Sequence, residues 1–319
     1  MVQRRYFRYI FVVCIFFSFG LFLLLKAYRA SYYQDSFTIT NGICNSQSLP
    51  AIWTQNSKKW NVGLLKIPSC PKRKNKFTVF IKTAISHRAN RDVLREYYAR
   101  LKTKLEEERG IELKHYFIVG IREDSVIEEG DDIIVGNFRD TYSNLSLKTK
   151  AAYEYFALCE DKEEHGASTL VIHDDDTWVG VDRIVQLFGS SGPPANQLFG
   201  NEHRGTGVMN DWMEEKGFIV NEKIWKDKFW PNYIAGPCVI MSSKAALKIG
   251  ASSSSVEQIP QIPVEDAVFT GILRVKNCLE IGTLNYFSFL WNRHKAFCVH
   301  TEGNIRLLQE KINETLFNI

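Results

Sequence analysis

The sequence predicts an α/β layer fold with a mostly parallel central sheet, preceded by one membrane-spanning helix. Three observations carry this expectation. Strand and helix patterns alternate from Lys76 to Phe188, and an uncharged apolar run covers residues 9–25. A buried-type strand then ends in three aspartates, in "TLVIHDDDTWVG" at 169–180. Strand–helix–strand alternation is what a sheet layered with helices requires.

The apolar run "YIFVVCIFFSFGLFLLL" holds 17 residues, at the short end of the roughly 17–25 that cross a bilayer core. A cleavable signal peptide would have a shorter apolar stretch and a small-x-small site after it. Here Tyr28 stands two before Ala30, which fits such a site poorly. The sequence therefore predicts an uncleaved anchor. Arg4, Arg5 and Arg8 outweigh Lys26 and Arg29, which puts residues 1–8 in the cytosol and the rest in a lumen. A short span suits the thinner membranes of the early secretory pathway.

Those five basic residues precede the first acid, Asp35. Without them the 40 basic residues become 35, against 36 acidic ones. The body of the chain has no basic bias, which argues against a nucleic-acid partner. Cys14 lies in the anchor. Cys44, Cys70, Cys159, Cys238, Cys278 and Cys298 lie beyond it, enough for three disulfides whose pairing the sequence leaves open. No C-x-x-C spacing occurs, so a structural zinc site is not expected. Asn144-Leu145-Ser146 and Asn313-Glu314-Thr315 are N-glycosylation sequons that agree with a luminal body.

Residues 26–75, with Pro50, Pro68, Pro71 and the run Lys72-Arg73-Lys74, read as a stem, and 76–319 as the luminal domain. "KFTVFIKTAIS" opens the domain as a strand. In "RDVLREYYARLKTKLEEERG", Val93, Leu94, Tyr97, Tyr98, Leu101 and Leu105 fall at helical spacing, and Gly110 stops the helix. "LKHYFIVGI" and "DDIIVGNF" read as strands, "LSLKTKAAYEYFALCE" as a helix, and "STLVIH" as a strand ending at the aspartates. "VDRIVQLF" reads as a short helix. Beyond Gly189 the chain is less periodic and reads as loops and short elements over one edge.

Ligands of such sheets gather at the carboxyl ends of strands, where the aspartates lie. On an extended segment Asp174 and Asp176 point the same way. Two carboxylates facing one point destabilise each other unless a cation sits between them. Mn²⁺ or Mg²⁺ bridging a diphosphate would resolve the conflict, with the protein giving only part of the coordination. A solvated turn with helix-capping character is the competing reading. The apolar strand before the triplet favours the site.

Several segments together are similar to the β1,3-glycosyltransferases of glycosyltransferase family 31, which includes β1,3-galactosyl-, β1,3-N-acetylglucosaminyl- and Fringe-type enzymes. They are "RANRDVLREYY", "EEGDDIIVGNFRDTYSNLSLKTKAAYEYFALC", "TLVIHDDDTWV", "WPNYIAGPCVIMSSKAA", "VEDAVFTGIL" and "FCVH", in that order, over roughly residues 76–305. The resemblance implies a GT-A type nucleotide-sugar fold and an inverting transfer from a UDP-sugar to a hydroxyl of a glycan acceptor. It implies that Asp174, Asp175 and Asp176 hold the metal and the nucleotide, with Asp176 a direct ligand and His300 a second. Asp266 would be the general base, and a single displacement needs only one. Glu265, Trp230, Tyr233 and Gly236 would meet the substrate, and Arg91 and Arg95 would approach the nucleotide. For the aromatics around Trp212, Trp225, Trp230 and Tyr233, core packing is the commoner fate. For the two arginines, an ion pair on the helix surface is an equal alternative.

The chain departs from the family pattern at three places. Tyr98 stands for a tryptophan, Ala267 for a valine, and Pro237-Cys238-Val239 follows Gly236 where a second glycine is expected. The last change bears on sugar identity. UDP-galactose is the leading donor, followed by UDP-N-acetylglucosamine or UDP-N-acetylgalactosamine. The expected protein is thus a type II Golgi membrane hexosyltransferase, for which a homodimer is compatible. Two rivals stand beside it. One is a non-catalytic luminal sugar-binding or chaperone-like protein, and the other a metal-dependent phosphohydrolase.

Overall fold

The computed structural model describes residues 61–71, 76–123, 126, 129–160, 168–208, 220, 222, 225–255, 262–282, 287–289 and 296–317. The expected anchor, residues 26–60 and 72–75 of the expected stem, and Trp212 lie outside them. Among the described residues no helix is long and apolar enough to cross a membrane.

In chain order the elements are β1 (Leu64–Lys66), β2 (Lys76–Lys82), α1 (Arg88–Arg109), β3 (Glu112–Ile121), β4 (Ile133–Arg139), α2 (Leu145–Cys159), β5 (Ser168–Asp174), β6 (Thr177–Val179) and α3 (Val181–Phe188). They continue as β7 (Gln197–His203), β8 (Tyr233–Ser242), α4 (Ser243–Ser253), α5 (Leu273–Lys276), β9 (Glu280–Gly282), β10 (Phe287–Phe289), β11 (Cys298–His300) and α6 (Ile305–Phe317). A π-helical stretch, Ala267–Ile272, leads into α5. Each helix and strand expected between Lys76 and Phe188 is present.

The main sheet runs β1-β4-β3-β2-β5-β8-β7-β9. Its centre, β4-β3-β2-β5, is parallel. Around it β1, β8 and β7 add antiparallel pairings, so the parallel part is the core of a mixed sheet. Strand β8 corrects the expectation of loops beyond Gly189. Its Pro237 hides a ten-residue strand. The proline is tolerated because it sits beyond the last β5 pairing, His173 with Cys238, and inside a register shift against β7.

Side chains alternate across β2. Phe77, Val79 and Ile81 pack with Leu94, Tyr97, Tyr98 and Leu101 of α1 on one face. Phe80 packs with Ala152, Tyr155 and Phe156 of α2 on the other. This period of two is that of a strand covered on both sides. It also sends Lys82 to the face of α2, where an apolar partner would be expected. A three-stranded sheet, β10-β11-β6, sits apart from the main ladder. Two disulfides join described cysteines, Cys70–Cys159 and Cys238–Cys298, and Cys278 is disulfide-bonded as well.

Candidate active site

Strand β2 leads through α1 to β3 on one side, while β5 pairs with β2 on the other. Strand order reverses between β2 and β5, which makes their carboxyl ends a topological switch point, the usual place for a ligand in such sheets. Lys82 and Asp174, the last residues of the two strands, are register partners there. They stand on the wall of an open cleft of about 1090 Å³.

The aspartates do not continue the strand. Asp174 ends β5, and Asp175 and Asp176 turn the chain into β6. The expected extended geometry is therefore replaced by a turn, which sends neighbouring carboxylates in different directions. Asp175 is buried. Its Oδ2 accepts from Thr83 Oγ1 at 2.5 Å and lies 2.9 Å from His87 Nδ1. Asp176 Oδ2 accepts from the Gly303 N–H at 2.8 Å and lies 3.1 Å from His300 Nε2.

Antiparallel pairing of β11 with β6, which sets His300 opposite Thr177, delivers the histidine. Thr301 reinforces the junction by donating its N–H and hydroxyl to the Asp176 carbonyl at 2.9 and 2.7 Å. One ligand atom each from Asp174, Asp176 and His300 falls within 4.8 Å of the others. Asp176 Oδ1 is buried with no hydrogen-bond partner among the described residues. Two carboxylates, an imidazole and one unsatisfied oxygen suit a divalent ion such as Mn²⁺.

Charges in the cleft act on one another. Burial pushes the Asp174 carboxyl upward; Lys82 opposes this, and Glu265 and Asp176 add to it. Burial also pushes Asp176 upward, but the His300 hydrogen bond and charge and the Gly303 N–H outweigh it, so this carboxyl lies below its ordinary value. Burial lowers His300, and Asp176 more than compensates, leaving it raised.

Lys82 joins this end of the cleft to the other. Its Nζ lies 2.9 Å from Asp174 Oδ1, donates to the Gly236 carbonyl at 3.1 Å and contacts Glu265 Oε1. Burial opposes its charge, yet the two carboxylates hold it well above the ordinary lysine value. Glu265 and Asp266 lie immediately before the π-helical stretch. π-Helical turns inside α-helices recur at functional sites.

Asp266 Oδ1 accepts from the Ala267 N–H at 2.9 Å, and Oδ2 from the Gly236 N–H at 3.2 Å. Burial first, and the Glu265 charge second, push Asp266 up to about 7. Gly236 is required by this approach, since a Cβ there would stand 2.6 Å from Glu265 Oε1.

Of the other residues singled out in the sequence, Trp230 and Tyr233 line the same cleft, near Asp266. Tyr233 lies tilted against His203, with ring centroids 5.2 Å apart, and Trp230 tilted against Trp225 at 5.4 Å. Arg91 and Arg95 do not line it. Arg91 is buried and braces the loop after β2, donating to the carbonyls of Ala84 at 2.6 Å and Ile85 at 3.0 Å. Arg95 pairs with Asp132 at 2.7 Å.

Asn144 begins α2, its Nδ2 donating to the Arg139 carbonyl at 2.8 Å, while the buried Ser146 hydroxyl donates to the Ile262 carbonyl at 2.7 Å. Asn313 is exposed on α6. Sequence reasoning missed Lys82, Thr83, His87, Lys148 and His203, all of which line the cleft. Lys148 is buried, 2.7 Å from Asp140 Oδ1, and donates to the Thr83 carbonyl. A lysine closing an apolar parallel strand is the one signal that could have exposed Lys82.

Comparison with known proteins bears on this arrangement. Residues 89–281 match the sequence model of a family described as galactosyltransferase. The lactosylceramide 1,3-N-acetyl-β-D-glucosaminyltransferase of Xenopus tropicalis is 24% identical over 263 residues, covering 78% of this chain and 66% of that protein. β-1,3-Galactosyltransferase 4 of Mus musculus is 24% identical over 267 residues, 68% of each chain. β-1,3-Galactosyltransferase 5 of Gorilla gorilla gorilla is 26% identical over 237 residues, 70% of this chain and 72% of its own. The chain spans about two thirds of the length of these relatives.

Proposed function

Because this chain belongs to the galactosyltransferase family, we propose that it is a β1,3-hexosyltransferase. It would transfer a sugar with inversion from a UDP-sugar, UDP-galactose first among them, to a hydroxyl of a glycan acceptor. One observation supports this most. A carboxylate–histidine cluster and a carboxyl pushed up to about 7 line one cleft, and a buried lysine links Asp174 of the first to Glu265 beside the second.

The chemistry divides between the two sides. Asp176 and His300, with Asp174 beside them, would hold a divalent ion. That ion supplies positive charge to the diphosphate of the leaving group. Asp175 keeps the turn in place through Thr83 and His87. Lys82 keeps Asp174 and Glu265 compensated in a buried setting. Asp266 is the general base and takes the proton of the acceptor hydroxyl as it attacks the anomeric carbon. A base works best with a pKa close to the operating pH, which the raised value of Asp266 supplies. Its two N–H partners fix the carboxylate plane. Trp230, Tyr233 and Gly236 shape the acceptor side.

We also propose that the protein is a type II Golgi membrane protein, anchored by residues 9–25 and followed by a stem that ends before β1, whose Leu64–Lys66 pairs with β4 in the main sheet. The apolar run and its arginines support the topology, and disulfides among described cysteines suit an oxidising lumen.

The test is UDP release by the full-length chain in detergent, with Mn²⁺, a panel of UDP-sugars, and simple glycosides present or absent. Metal-dependent release stimulated by an acceptor is expected. No release with any donor would sink the transferase reading in favour of a non-catalytic sugar-binding protein. UDP-sugar cleavage indifferent to every acceptor would favour a phosphohydrolase.

A further inference from the structure

The cleft draws on two separate ladders. His300 comes from β11 in the small sheet, whereas Gly236, which holds both Asp266 and Lys82, comes from β8 in the main sheet. The chain passes between the sheets from β5 to β6 through the Asp175–Asp176 turn, from β6 through α3 to β7, and from β9 to β10.

A covalent bond beside the site also joins the two sheets. Cys238 of β8 is disulfide-bonded to Cys298 of β11. Cys238 stands two residues after Gly236, and Cys298 two residues before His300. Both cysteines are buried. Cys238 is also the register partner of His173, the residue before Asp174. The bond therefore meets the main sheet beside the base and the small sheet beside the carboxylate–histidine cluster. The other described disulfide, Cys70–Cys159, closes the far end of α2. That end lies 11 residues beyond Lys148, about 16 Å along the helix.

We propose that the Cys238–Cys298 disulfide is a positioning device for this site. It locks the cluster of Asp174, Asp176 and His300 at a fixed distance from the Gly236–Asp266 pair, so that leaving group and attacking hydroxyl are met in one geometry. The inference rests on the transferase reading. It adds that the site depends on one bond spanning two sheets, and that this bond governs metal affinity as well as stability.

The experiment compares the full-length chain with the double variant Cys238→Ala/Cys298→Ala, using Cys70→Ala/Cys159→Ala as control. Mn²⁺ alone is titrated into each protein and the free ion is followed by electron paramagnetic resonance. Thermal unfolding and transfer kcat are measured beside it. Loss of the Cys238–Cys298 pair should weaken Mn²⁺ binding by about tenfold or more, the range seen when groups that orient metal ligands are removed. It should also lower kcat at temperatures where the protein remains folded. The control pair should lower the melting temperature and leave the Mn²⁺ Kd unchanged.

Should the alanine pair not fold, Cys238→Val/Cys298→Val restores the buried volume and takes its place. A folded variant with unchanged Mn²⁺ Kd and kcat overturns the proposal while the transferase reading stands. Failure of both pairs to fold makes the bond a folding requirement and also overturns it. A wild-type chain that neither binds Mn²⁺ nor releases UDP takes down the transferase reading, and this inference with it.

Discussion

Lys82 and Asp174 end adjacent parallel strands in register, and their side chains meet at 2.9 Å. The pairing puts a buried cation where the sheet changes direction, and the same ammonium group contacts Glu265. Lys82→Met should therefore strand two carboxylates. Breaking a buried ion pair by removing one partner costs about 3–5 kcal/mol. Urea unfolding should show a loss of this order. A variant as stable as wild type would mean that Glu265 or Asp174 takes up a proton at little expense.

Asp266→Asn preserves shape and removes the base. Transfer should fall by about 10²–10⁴-fold, the usual contribution of a positioned proton acceptor. Mn²⁺ and UDP binding, followed by calorimetry, should persist. Normal transfer by this variant would assign the base elsewhere.

Asp266 also sets a pH dependence. Its folded value of about 7 lies above the unfolded carboxyl value of about 3.9. In the folded protein the proton is therefore held longer, so raising the pH from about 4 to about 7 removes stability progressively, and little more is lost above that window. Activity runs the opposite way, because only the ionised carboxylate accepts a proton. A profile of kcat/KM should rise tenfold per pH unit below about 7 and then level off. Asp266→Glu should shift the inflection. A flat profile from pH 5 to 8 would contradict the assignment.

Asp176→Ala removes the carboxylate that carries both the His300 contact and the Gly303 N–H. Mn²⁺ affinity and UDP release should both collapse. His300→Ala should weaken Mn²⁺ binding while partial release survives at high Mn²⁺. Chelation of the wild-type protein should reproduce the Asp176→Ala activity and be reversed by added metal. Activity indifferent to chelator would count against a metal at this cluster.

Gly236→Ala places a methyl group against the Glu265 carboxylate. Inserting a methylene into a packed site costs about 1–3 kcal/mol. Here the strain falls on the residue between Lys82 and Asp266, so kcat should drop by more than the melting temperature suggests. Gly303→Ala, at φ +78°, strains the backbone whose N–H holds Asp176 Oδ2, so stability and Mn²⁺ affinity should fall together.

What the sequence exposes depends on how local the chemistry is. The aspartates, Glu265-Asp266 and His300 stand out because each is polar at the edge of an apolar run. The strands and helices from Lys76 to Phe188 stand out by periodicity. Lys82 is hidden because it reads as the polar end of a strand, and its meaning comes only from register with Asp174. The roles of Arg91 and Arg95 are hidden for the same reason, since helical spacing does not reveal which loop a guanidinium will reach; Arg95 takes the ion-pair alternative, with Asp92 and Asp132. Strand β8 is masked by Pro237, whose tolerance depends on a register shift that no local pattern encodes. Pairing of Cys238 with Cys298 and of Cys70 with Cys159 is likewise a property of the assembled sheets.

The start of α2 carries a consequence for biosynthesis. Once this helix docks, the side-chain amide of Asn144 is engaged by Arg139 and the hydroxyl of Ser146 by Ile262. In the lumen proposed for this domain, a glycan can join that asparagine only while the segment is still undocked. Occupancy there is then a clock reading, recording whether oligosaccharide transfer or helix docking came first, and any glycan that wins the race sits at the mouth of the cleft.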